Sequence, residues 1–178
     1  IPDIWELEGA DTNGDGIIDI DFPRMGANPN IPDIFIEVDW MEGLKPRESA
    51  LRLVYNQFKA HGINLHVDVG ADSIDFVTGK KWYTLSGGNS IPYSKNFERE
   101  KKWTETAENN FSEVRWSTFR YCLFVNRYDG TSSSGIADNI RGQFFIVADV
   151  DGWISNTDTA QAGTFMHELG HTLGLRHG

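Results

Sequence analysis

The residues best suited to chemistry lie in HELGHTLGLRHG, from His167 to Gly178. Three of the chain's five histidines fall there, spaced as H-E-x-x-H-x-x-G-x-x-H. On a helix, His167 and His171 stand one turn apart on the same face, so their imidazoles can share one zinc ion. Gly174 can take the left-handed conformation that ends a helix cheaply. The chain can then turn, and His177 can reach the same ion from another direction. Three protein nitrogens leave the fourth position of a tetrahedral zinc open, the pattern of a catalytic site rather than a structural one. Glu168, beside the first ligand, can act on water at that position. At about one in twenty per position, five fixed positions arise by chance in such a chain at below roughly 10⁻⁴. The plainer alternative is a histidine-rich helix end with no metal.

A second constellation is DTNGDGIIDID, residues 11–21. Asp11, Asn13, Asp15 and Asp19 occupy positions one, three, five and nine of a calcium-loop pattern, and Gly16 falls where the loop must turn sharply. Ile17 can offer its carbonyl. The glutamate that would close such a loop is replaced by Phe22, with Asp21 one residue early. The expectation is a calcium ion that stabilises the N-terminal segment; the alternative is a solvated acidic turn.

The histidine segment resembles the zinc signature of the metzincin clan of metallopeptidases. The chain as a whole is similar to secreted bacterial and archaeal members with an acidic calcium-type repeat just upstream. The resemblance implies that His167, His171 and His177 are zinc ligands, that Glu168 is the general base, and that Gly174 is the turn glycine. It implies an acidic calcium-binding segment over residues 1–30 and, over 31–178, the N-terminal subdomain of a catalytic domain. It also implies that Ser134, Gly135, Ile136 and Ala137 form the edge strand at the rim of the cleft, whose free backbone groups bind an extended peptide by strand addition; an ordinary loop is the other reading. One feature departs from the clan. Met25, Met41 and Met166 all precede the third histidine, so the methionine turn expected beneath the metal has no counterpart in these residues. The expectation is that the C-terminal subdomain lies on a further segment or a second chain. The start at Ile1, without methionine, is read as removal of upstream sequence, and the address as secreted.

These groups need elements to hold them. Ala160, Ala162, Phe165, Met166, Leu169, Leu173 and Leu175 predict a helix running through a core, with Thr157, Asp158 or Thr159 as its cap. IPDIFIEVDW (31–40) alternates like a strand, with Ile34, Ile36 and Val38 on one face and Phe35, Glu37 and Asp39 on the other. Residues 46–61 read as an amphipathic helix on Leu51, Val54, Tyr55 and Phe58, opened by Pro46 and stopped by Gly62. Residues 63–70, 119–126 and 143–150 read as further strands, and the strand–helix–strand order predicts parallel neighbours. Residues 71–96 read as a long surface insertion with a short hairpin around FVTGKKWY, and 97–114 as polar with a helix. The fold class is therefore α/β (α+β): a twisted mixed sheet of four or five strands, a backing helix and an active-site helix.

The bulk composition sets limits. Apolar residues make up 39% and aromatics 12%, enough for a packed core. The net charge of −10 argues against nucleic acid or an anionic membrane as partner and suits bound divalent cations. No apolar run approaches the roughly 18 residues of a membrane span. Cys122 is the only cysteine, so no internal disulfide forms, and its apolar surroundings in sequence predict a packing role. His61 and His66 lack ligand spacing and read as structural. The functional expectation is a zinc-dependent endopeptidase acting on protein or peptide. A calcium-stabilised binding module, an inactive protease fragment and a zinc amidase are the alternatives.

Overall fold

A computed structural model describes all residues from Ile1 to Gly178. Its centre is a six-stranded mixed sheet. The strands are β1 (Asp33–Met41), β2 (Asn64–Asp68), β3 (Ser90–Ile91), β4 (Phe119–Val125), β5 (Gly135–Ala137) and β6 (Phe144–Ala148). The main order is β2-β1-β4-β6-β5, and β3 pairs with the far end of β1. All pairings are parallel except β5 with β6, so β5 is an antiparallel edge. The helices are α1 (Asp3–Glu8), α2 (Phe22–Met25), α3 (Glu48–Ala60), α4 (Arg99–Asn110) and α5 (Asp158–Thr172).

Parallel strands are normally covered on both faces, and here they are. On one face Ile36 and Val38 of β1, Leu65 and Val67 of β2, Phe124 of β4 and Val147 of β6 pack under α3 and α5. Helix α3 contributes Leu51, Val54 and Tyr55; α5 contributes Ala162, Phe165 and Leu169. Phe165 is fully buried and meets Phe145 edge-on, with ring centroids 5.2 Å apart. Burying such a side chain stabilises the fold by roughly 1.5–3 kcal/mol. On the other face Phe35, Phe119 and Tyr121 pack against Phe22 and Met25 of α2, Trp82, and Ala107 of α4. Residues 1–30 therefore share a core with the sheet.

Several expectations change in detail. The sheet has six strands rather than four or five, because Ser90–Ile91 pairs with Trp40 and Met41. The 71–96 segment is not simply a surface insertion: Ser73, Asp75, Trp82 and Ile91 are buried. Its turn is present as an antiparallel bridge between Ile74 and Lys81. Helix α3 starts at Glu48 rather than Pro46, because Arg47 is extended and its N–H is held by the Gln161 side chain, 2.7 Å away. Helix α4 is a third long helix, on the face opposite α5.

Candidate metal centre

Thr157 caps α5, its hydroxyl accepting the Ala160 N–H at 3.0 Å. Phe165 and Leu169 fix the inner face of the helix, which leaves His167 exposed and His171 half-buried on the outer side. Past Thr172 the Gly174 N–H bonds the His171 carbonyl and the Leu175 N–H bonds the Gly170 carbonyl, both at 2.9 Å. This is a Schellman closure, and it needs a left-handed residue. Gly174 supplies it, at φ +102°. The reversal brings His177 back over the helix.

The three rings then converge. The Nε2 atoms of His167, His171 and His177 are 3.0–3.1 Å from one another. This is the only group of three or more His, Cys, Asp or Glu side chains whose ligand atoms lie within 4.8 Å of one another. Zinc–nitrogen bonds of about 2.0–2.1 Å in a tetrahedron put ligand nitrogens about 3.3 Å apart. The triangle is close to that spacing, so the donor set fits a small divalent ion. One proton position is also set. His171 Nδ1–H donates to the Leu175 carbonyl at 2.9 Å, which leaves Nε2 with its lone pair toward the other two rings. The carbonyl belongs to the closure that carries His177, so the turn orients two of the three donors.

Glu168 lies on the inner side of this group and is largely buried, at 7% exposure. Burial pushes its carboxyl above the ordinary range; the charges of His171 and His177 and the Ala137 N–H oppose the shift. It packs directly on β5. A Cβ built on Gly135 would stand 2.7 Å from Glu168 Oε1, so only glycine permits the approach.

Ser134 to Ala137 do lie at the edge of the sheet, beside the histidines. Their backbone groups are only partly free. The Ala148 N–H bonds the Ser134 carbonyl, and the register leaves Gly135 and Ala137 pointing outward. The Gly135 carbonyl already accepts the Tyr128 hydroxyl at 2.8 Å and the Ser133 hydroxyl at 2.9 Å. One of the four outward groups thus has partners inside the chain. Recesses open on both sides of the helix. One of about 700 Å³ borders the histidines with Phe58, Ile63, Met166 and Leu173; one of about 380 Å³ includes Ser133, Trp153, Thr164 and Glu168.

The acidic loop is exposed and closed by the Ala10–Ile20 bridge. Its side chains accept backbone N–H groups in sequence: Asp11 from Gly14 at 2.6 Å and Gly16 at 2.8 Å, Asn13 from Asp15 at 2.9 Å, Asp15 from Ile17 at 2.8 Å. Asp19 accepts the Thr12 N–H at 2.8 Å and its hydroxyl at 2.6 Å. Asp21 stands apart, capping α2 through the Arg24 N–H at 3.1 Å. The carboxylates are not drawn together as the histidines are.

His66 reads as structural from the sequence, but neither its partners nor the buried Arg115 cluster was legible there. The His66 ring nitrogens lie 2.8 Å from Asp75 and from Asp33, a buried bridge that makes the residue structural. Arg115 bridges Glu37 at 2.6 Å and Asp68 at 2.8 Å, while Asp39 accepts the Tyr121 hydroxyl at 2.6 Å. The one available signal was the Glu37–Asp39 alternation, which marks a face without saying what covers it. Cys122 is fully buried, as its setting predicted.

In comparisons with known proteins, no family model matches the chain and no curated protein is significantly similar to it.

Proposed function

We propose that the chain is a zinc-dependent endopeptidase of metzincin type. The observation that carries the reading is the triangle of histidine Nε2 atoms, 3.0–3.1 Å on a side, with Glu168 lining the same recess as His167. His167, His171 and His177 would hold the ion, with one coordination position left for substrate or water. Zinc held there would supply Lewis acidity and make water more acidic, toward a pKa of about 7. Glu168 takes the proton of the attacking water and passes it to the leaving amine. The free Gly135 N–H and Ala137 carbonyl align an extended peptide along β5. A peptide substrate and a secreted setting belong to the same reading. So does calcium at residues 11–19, supported by the run of side-chain acceptors around Gly14 and Gly16.

The test combines metal content with turnover. Protein dialysed against zinc should bind one equivalent and cleave casein, and a chelator should stop cleavage. Glu168→Ala should keep the zinc and lose at least about 10²-fold in turnover. A fully active Glu168→Ala variant, or a chain that binds no zinc, would refute the assignment. Zinc bound without cleavage would favour a binding module instead.

A further inference from the structure

The second recess beside Glu168 carries more than the catalytic reading requires. Trp153 lines it and is 55% exposed, an unusual setting for the largest apolar side chain. Its loop is not loose. Ile154, the next residue, is buried in the core at 1% exposure. The Asp149 carboxylate caps the Ser155 N–H at 2.8 Å. Arg47 reaches over from the start of α3, bonding the Ser155 carbonyl and pairing with Asp158 at 2.6 Å. On the other side, Asp151 pairs with Arg127 at 3.1 Å. An exposed indole on a pinned backbone is a preorganised contact, and preorganised aromatic surfaces dominate recognition.

The rest of the recess suits one kind of guest. The recess is also lined by Ser133, Ser134, Thr159 and Thr164, together with His167 and Glu168. Gly163 forms part of the lining, and a Cβ added there would meet nothing within 4 Å. The volume of about 380 Å³ is enough for one large side chain. Recognition along β5 is incomplete by itself, because the outward Gly135 carbonyl is already occupied. Selectivity must then come from side chains.

We propose that Trp153 is a specificity-determining residue that stacks on an aromatic side chain of the peptide substrate. That side chain lies on the Ser134 side of the scissile bond. The hydroxyl-bearing lining suits the polar edge of a tyrosine and also tolerates phenylalanine. The inference rests on the endopeptidase reading and deepens it.

The experiment profiles cleavage sites in a digest of denatured proteins by mass spectrometry, for the zinc-loaded chain and three variants. The wild type should prefer an aromatic residue at one position on one side of the cut. Trp153→Ala should lose that preference, with kcat/KM for an aromatic-bearing peptide falling on the order of tenfold and that for its glycine counterpart unchanged. Trp153→Phe should retain it. Gly163→Leu, which narrows the recess without touching the loop, should lose it too. An unchanged profile, an equal fall on all peptides, or a preference for lysine or arginine at that position would overturn the proposal. Binding of the same peptides to zinc-loaded Glu168→Ala, read by tryptophan fluorescence, separates the two claims. Trp153-dependent binding without wild-type cleavage would leave the subsite standing and remove the protease. Binding indifferent to Trp153→Ala would remove the subsite.

Discussion

Glu168 and Gly135 form the contact on which the candidate chemistry turns. The carboxylate is held in place by what β5 lacks, a Cβ at position 135. Gly135→Ala puts a methyl 2.7 Å from Oε1 and an equal distance from Cγ, so the side chain must move. A displacement of about 1 Å at a reacting group costs on the order of 10²-fold in rate. Turnover should fall by about that factor while zinc affinity stays near that of the wild type, because neither ligand helix nor turn is touched. Equal activity in Gly135→Ala would mean that Glu168 does not work from this position. His171 shows a second economy at this scale. Its Nδ1–H is held by the carbonyl of Leu175, whose own N–H closes the helix, so helix termination and ligand tautomer come from the same few atoms.

Among the elements, α5 and β5 build the site and the others hold them. Helix α5 is fixed by Phe165 and Leu169 against the sheet and by its contact with α3, so its outer face is set in both rotation and height. The N-terminal segment plays its part on the other face, where Phe22 and Met25 pack on Phe35 and Phe119. The acidic loop lies between Ala10 and Ile20, which are themselves buried in that core. A calcium ion on the loop would therefore stabilise the domain and leave the chemistry alone. Calcium at about a hundredfold above its Kd should raise Tm by about 5–10 °C. Asp11→Ala should abolish that rise without changing kcat/KM at low temperature. A calcium-independent Tm in the wild type would assign the loop to hydrogen bonding alone.

At the scale of the whole molecule, buried charge makes stability depend on pH. Burial disfavours a charged His66, yet its bonds to Asp33 and Asp75 outweigh that and raise its pKa. A raised histidine stabilises fully below the unfolded value near 6.5 and ceases to do so as pH rises through the folded value. Burial, opposed by Arg115, raises Glu37 to about 8, and burial, opposed by the Tyr121 hydroxyl, raises Asp39 to about 7. These carboxyls also have raised values, so their contribution is present in acid and lost on the way to pH 8. All three groups carry the same sign. Metal-free protein, in which the candidate ligands contribute no zinc binding, should lose Tm between pH 6.5 and pH 8.5. Glu37→Gln should flatten the slope, and a Tm that climbs over this window would contradict the assignment of these buried groups.

The sequence alone determined what is local. The donor set, its spacing, a cap among Thr157, Asp158 and Thr159, the Gly174 stop and the main strands follow from periodicities and turn residues that act within a few positions of one another. That reach explains why the histidine segment was legible while strand β3, only two residues long, was not. Tertiary structure decided the contacts between residues far apart in the chain: Glu168 against Gly135, Arg115 between Glu37 and Asp68, and Arg47 pinning the Trp153 loop. It also decided that part of the β5 edge is already occupied. Polar and apolar alternation assigns a residue to a face, but the partner on that face comes from another segment. Only packing determines whether a carboxylate there meets water, a guanidinium or a metal.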